Sequence, residues 1–135
     1  MIVLDASAAI EALQDSPEGH AIQEALSGGE KIISCDLLRA EAASVLRKFV
    51  LIGKISPSEA GQRLSRLMNL VDEIYPLAPL QTEALAESIR LNHSVYDLFY
   101  FILARRTQGT LFTTDSKLLK LSGQHGVECM TLVDF

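Results

Sequence analysis

Cysteine is nearly absent. Cys35 and Cys129 stand far apart, with no CxxC and no Cys/His spacing around them. That argues against a zinc site and a disulfide-held miniprotein, fits a reducing cytosol, and leaves both thiols as small core hydrophobes. Basic residues are also in deficit, 12 Lys and Arg against 17 Asp and Glu, for a formal net charge of −5. A protein that coats DNA or RNA by simple charge attraction shows the opposite balance. An enzyme of nucleic acids can still carry this charge if several acids are metal ligands, because bound divalent cations invert the local field. Long apolar runs are missing too. The longest, Leu98 to Ala104, is far too short to span a bilayer, and the N-terminus lacks the basic flank of a signal peptide, so a cytoplasmic protein with no membrane partner is expected. There is no GxGxxG, GxxxxGK[ST] or GxSxG, and His20, His93 and His125 are scattered without metal spacing, which sets aside serine or cysteine hydrolase chemistry.

What is present is ordinary globular material: 135 residues, 48% apolar and 21% charged. One domain over residues 1–135 is expected, burying roughly two-thirds of the surface its unfolded chain exposes. The organising stretch is Ile2-Val3-Leu4-Asp5, a strand apolar on both faces that stops at a carboxylate. Ser7 to Leu13 should be a short helix, and Ser16-Pro17 opens another that ends at Gly28-Gly29. A second strand, residues 31–34, leads through Asp36 into a long helix to Ile52, stopped by Gly53. Ser56-Pro57-Ser58-Glu59 is a capping-box start for a helix to about Leu70. A weaker strand over 73–77 follows, then helices from about Leu80 to Leu91 and from Val95 to Thr107. A strand at 110–113, a short helix from Ser116 to about Leu121, a turn at Gly123 to Gly126 and a last strand from Val127 to Thr131 close the chain. Strands alternate with helices throughout, which predicts an α/β fold: three layers, α/β/α, around a central parallel sheet of about five strands with right-handed crossovers.

Ligands bind such sheets at the carboxyl ends of the strands. Asp5 ends the first strand, and Asp115 follows the strand at 110–113. Glu41 lies inside the long helix with Leu37, Leu38, Ser44 and Val45 as neighbours, so the usual explanation of a helical glutamate, a local ion pair, has no partner there; a solvated place beside the apolar stripe is the plain alternative. Asp97 fits a Ser94-x-x-Asp97 helix start in which the acid merely favours the N-terminus, and Asp5, Asp36 and Asp115 could equally be helix starters. Asp36 is assigned that role. If the other four converge, their repulsion would force protons onto some of them unless a cation sits between them. Oxygen-only ligands select magnesium, or manganese as a substitute.

These residues resemble a known family, the PIN-domain nucleases, and among them the small VapC-type toxins of toxin–antitoxin pairs. The resemblance rests on Ile2-Val3-Leu4-Asp5-Ala6-Ser7-Ala8, Leu38-Arg39-Ala40-Glu41-Ala42-Ala43-Ser44-Val45-Leu46, Ser94-Val95-Tyr96-Asp97-Leu98-Phe99-Tyr100 and Leu111-Phe112-Thr113-Thr114-Asp115-Ser116. It implies a PIN-like fold and a metal-dependent endoribonuclease whose acidic pocket is Asp5, Glu41, Asp97 and Asp115, with Ser7 and Thr113 as supporting hydroxyls. It also implies an RNA substrate, a small antitoxin partner and a homodimer. Ser7 as a helix-start hydroxyl and Thr113 as a plain strand residue are the structural alternatives. Arg39, Arg105 and Arg106, with Arg47 and Lys48, are candidates for holding the RNA backbone, beside the reading that they are solvated helix faces. One departure from the family is the bulk after Asp97, Leu-Phe-Tyr-Phe, expected to leave the metal site alone but to alter the substrate groove. Leu98, Phe99, Phe101, Ile102 and Leu103 read as core or a self-association face. The competing functions are a receiver-type signalling domain, which also gathers aspartates around magnesium, and a catalytically silent PIN-like binding module.

Overall fold

The computed structural model describes residues 1–130. Its elements are β1 (Ile2–Leu4), α1 (Ala6–Ala12), α2 (Pro17–Leu26), β2 (Ile32–Cys35), α3 (Leu37–Leu51), α4 (Pro57–Asn69), β3 (Glu73–Tyr75), α5 (Ala78–Leu91), α6 (Val95–Thr107), β4 (Thr110–Phe112) and α7 (Ser116–Gln124). All strand pairs are parallel, in the order β3-β2-β1-β4. Ile2 registers with Ile32 on one side of β1 and with Thr110 on the other.

Alternation along the strands divides the core in two. Val3, Ile33, Cys35 and Leu111 pack with α5, α6 and α7, whereas Ile2, Leu4, Ile32 and Phe112 pack with α1 to α4. This is the expected three-layer α/β/α arrangement. α6 is enclosed almost all round, with every residue from Leu98 to Ala104 buried. Its apolar run is therefore core, and the self-association alternative for Leu98, Phe99, Phe101, Ile102 and Leu103 is set aside. Among the described residues no helix is long and apolar enough to cross a membrane.

The helix signals act much as their chemistry dictates. Ser16 and Ser56 accept from the Gly19 and Glu59 amides, with a proline in each first turn. α3 ends in a Schellman turn: Gly53 has φ +77°, its N–H donates to the Val50 carbonyl at 3.0 Å, and the Lys54 N–H to the Phe49 carbonyl at 2.8 Å. Three boundaries differ from expectation. α5 begins at Ala78, because Pro79 is tolerated in its first turn. α7 continues through Gly123 to Gln124, since the left-handed residue that stops it is Gly126, φ +76°. Among the described residues the sheet has four strands, against about five expected. The Val127 N–H donates back to the Ser122 carbonyl at the end of α7, so pairing with β4 is reduced to one bridge, Leu111 to Cys129. Thr131, the far end of that expected strand, lies outside the described residues.

The order β3-β2-β1-β4 puts the reversal of chain direction across the sheet between β1 and β4, the place where such sheets open a crevice at their carboxyl edge. Asp5 and Asp115 follow those two strands.

Candidate functional site

Asp5 leaves β1 in an extended conformation and caps α1, its Oδ1 accepting from the Ala8 amide at 2.8 Å and from the Ser7 hydroxyl at 2.7 Å. The Ser7 oxygen also accepts from the Thr114 amide at 3.0 Å and stands 3.2 Å from Thr113 Oγ1, which accepts from the Asp115 amide at 3.1 Å. Asp115 in turn caps α7 through Oδ1, taking the Lys117 and Leu118 amides. One hydrogen-bonded chain thus runs across the carboxyl edge from β1 to β4. Ser7 stands at the start of α1 as a helix-start hydroxyl, whereas Thr113 lies just past the end of β4 and its hydroxyl holds the Asp115 amide.

The other two acids come from the helices on opposite faces. Glu41, near the start of α3, accepts from the Tyr100 hydroxyl at 2.6 Å. Asp97, in the first turn of α6, lies 2.8 Å through Oδ2 from Nε2 of His93. Ser94 makes no side-chain cap, but Asp97 does stand in the first turn of α6, where an acid favours the helix N-terminus, while its Oδ2 is turned to His93. Asp36 likewise makes no cap bond; its carboxylate pairs with Arg39 at 2.8 Å.

Asp5, Ala6, Ser7, Glu41, Val45, Asp97, Tyr100 and Asp115 line one pocket of ≈ 180 Å³. All four predicted acids are there, and no lysine or arginine is. Asp5, 3% exposed, has its carboxyl pushed up to about 6 from the ordinary 3.8, by burial first, with a smaller push from Asp97, against the Ala8 amide and nearby hydroxyls that favour the charged form. Burial also raises Glu41, where the Tyr100 hydroxyl opposes it, and Asp97, where His93 opposes it and Asp115 adds to the rise. Tyr100 is raised by its own burial and by Glu41, so it stays a proton donor.

The donor set is oxygen only, and each bond above uses a single carboxylate oxygen. The second oxygens, Asp5 Oδ2, Glu41 Oε2, Asp97 Oδ1 and Asp115 Oδ2, make no hydrogen bond among the described residues. That chemistry fits a hard divalent cation. As the side chains stand, however, no three His, Cys, Asp or Glu among the described residues form a group that could hold a metal ion.

The PIN domain family model matches residues 2–124. The chain belongs to the PIN-domain family. This PIN domain is 32% identical over 121 residues to Ribonuclease VapC1 of Mycobacterium tuberculosis, which covers 90% of each chain. In fold it is similar to PAE2754 from Pyrobaculum aerophilum, with a TM-score of 0.72 at 22% identity over 88% of this chain and 84% of that one. It is similar as well to Mycobacterium tuberculosis VapC20, a sarcin-ricin loop cleaving toxin, with a TM-score of 0.68 at 18% identity over 94% and 96% of the two chains. The receiver-type alternative gives way to this family.

Sequence reasoning missed two residues that hold acids of this PIN-domain pocket. His93, four positions before Asp97, is a neighbour by spacing but no firm cation, so its 2.8 Å contact with that carboxylate was not legible. Tyr100 sat inside the bulky run that was expected to leave the metal site alone; its hydroxyl instead reaches a pocket acid. The arginines divide. Arg39 is exposed on the first turn of α3, two residues before Glu41. Arg105 and Arg106 are at the other end of α6, about 12 Å along its axis from Asp97. There Arg105 binds Glu83 and Glu87, and Arg106 binds Glu83 and the Pro79 carbonyl, joining α6 to α5.

Proposed function

We propose that this PIN domain is a divalent-cation-dependent endoribonuclease, the toxin of a toxin–antitoxin pair. The observation that carries the reading is four carboxylates from four separate elements lining one pocket without a basic residue. Magnesium, or manganese in its place, is the ion that Asp5, Glu41, Asp97 and Asp115 would hold. When bound, such an ion lowers the pKa of water toward neutrality and stabilises a leaving oxygen.

The protein's own share is positional. Ser7, with the Ala8 amide, fixes one oxygen of Asp5, and His93 does the same for Asp97. Burial raises the Asp5 carboxyl to about 6, so below that pH a proton would compete with a cation for it. Glu41, Asp97 and Asp115 are only half buried, so a phosphodiester can be presented to them from solvent. Arg39, with Arg47 and Lys48 further along the exposed side of α3, is the candidate for holding the RNA backbone. Similarity to Ribonuclease VapC1 and to VapC20, which is called a toxin, supports RNA as substrate and a small antitoxin as partner in the cytoplasm. Leu85 and Ile89, one turn apart on α5 and 55% and 73% exposed, support pairing of two copies.

The test is cleavage of a fluorophore-quencher single-stranded RNA by purified protein. Cleavage is expected with Mg2+ or Mn2+, to stop with EDTA, and to fall at least 100-fold in Asp97→Asn with an unchanged circular-dichroism spectrum. The unconverged carboxylates favour a second reading, a silent PIN-like binding module. RNA binding without cleavage at any divalent-ion concentration would decide for it.

A further inference from the structure

We propose that Tyr100 is a positioning residue for Glu41: its hydroxyl holds one carboxylate oxygen so that the other is presented to a divalent cation in the pocket. The inference rests on the pocket reading above and assigns a task to a residue outside the acidic set.

Glu41 has three side-chain torsions and sits on the first turns of a helix whose neighbouring side chains, Leu37, Leu38, Ser44 and Val45, offer it no ion pair. Among the described residues its side chain makes one hydrogen bond, from a tyrosine 59 residues away at 2.6 Å. The ring that delivers that bond is 1% exposed and packed in the core cluster with Leu98, Phe101 and Cys35, so the hydroxyl cannot wander. Tyr100 follows Asp97 by three residues on α6, which places a pocket carboxylate and the clamp for another one turn apart on the same helix face. A buried phenol on α6 and a half-buried glutamate on α3 thus bridge the two layers across the sheet's carboxyl edge. Such outer partners typically change metal affinity by tenfold or more when lost. A tether that served packing alone would not need to end on a pocket acid.

The experiment is a Mn2+ titration, by calorimetry and electron paramagnetic resonance, of wild type, Tyr100→Phe, Glu41→Gln and the double variant, with thermal melts in EDTA. Phenylalanine keeps the ring and removes only the hydroxyl. The expected result is Mn2+ affinity at least tenfold weaker in Tyr100→Phe, an EDTA melt close to wild type because Glu41 can turn to water, and no further loss when Tyr100→Phe is added to Glu41→Gln. Wild-type affinity in Tyr100→Phe, or an equal loss in both backgrounds, overturns the assignment. Should the phenylalanine variant not fold, Glu41→Asp withdraws the carboxylate from the hydroxyl by one methylene, and unchanged Mn2+ affinity there overturns it equally. A wild-type protein that binds no Mn2+ removes the pocket reading and this one together, whereas Mn2+ bound equally by wild type and Tyr100→Phe removes this one alone.

Discussion

The hydroxyls of Ser7 and Thr113, 106 residues apart in the chain, stand 3.2 Å from each other and join the loops that carry Asp5 and Asp115. Ser7 has one proton and gives it to Asp5, which leaves Thr113 as the donor across that contact. Thr113→Val keeps the shape and strips the Ser7 oxygen and the Asp115 amide of a partner, at an expected cost of about 1 kcal/mol. Ser7→Ala loses more contacts and is expected to cost about 2 kcal/mol. Because the two share a network, the double variant should fall short of the sum by at least about 0.5 kcal/mol in urea denaturation. Strict additivity would mean the contact contributes nothing.

Asp5 makes stability depend on pH in a stated direction. Its folded pKa of about 6 lies above the ordinary 3.8, so between those values the folded chain keeps a proton the unfolded chain has lost. Stability from this group is complete below about pH 4, declines as pH rises, and by neutrality is lower by about 3 kcal/mol. Asp5→Asn removes that penalty while its amide oxygen still accepts from Ser7 and Ala8. In EDTA the variant should therefore be more stable than wild type at pH 7, with the gap closing toward pH 4. A gap that does not vary with pH would contradict the burial of an ionisable Asp5.

Arg39 and Arg105 should separate in an RNA assay. Arg39→Ala is expected to raise KM several-fold and to lower the salt dependence of binding, the mark of a lost phosphate contact. Arg105→Ala is expected to leave KM unchanged and to cost stability instead, about 0.2–1 kcal/mol for each exposed pair with Glu83 and Glu87. The reverse pattern would move the RNA path to the opposite pole of α6.

Gly19 is a glycine for want of space. A β-carbon there would press on the backbone carbonyls of Gln14 and Glu11 at the α1–α2 corner, and neither can swing aside. Gly19→Ala should cost about 2 kcal/mol in chemical denaturation with RNA cleavage retained on the fraction folded. Gly61, with nothing near its missing β-carbon, is the control and should tolerate alanine.

How much could be read from the chain alone follows from the range of each interaction. Ile2-Val3-Leu4-Asp5 was legible because a buried parallel strand needs unbroken apolar residues, and the serines before Pro17 and Pro57 because caps act within one turn. The four acids were legible only as a constellation. What they touch was not. Tyr100 reaches Glu41 from another helix, and no local pattern distinguishes a tyrosine that fills core from one whose hydroxyl ends on a carboxylate. The strand expected from Val127 onward was misread for the same reason: its described part is composed like a strand, yet where the Val127 amide bonds is decided by the end of α7. Gly123 misled because glycine permits a helix to stop without requiring it.

The unbroken burial of α6 from Leu98 to Ala104 has a mechanical consequence. A helix enclosed from Leu98 to Ala104 cannot roll or slide without emptying the layer it packs in, so the backbone of Asp97, one residue before that run, is firmly held. On the proposed ribonuclease reading, adaptation at Asp97 would then have to come from the nucleic acid bending to a fixed bite, and selectivity among RNAs would follow from which strands are supple enough to reach it.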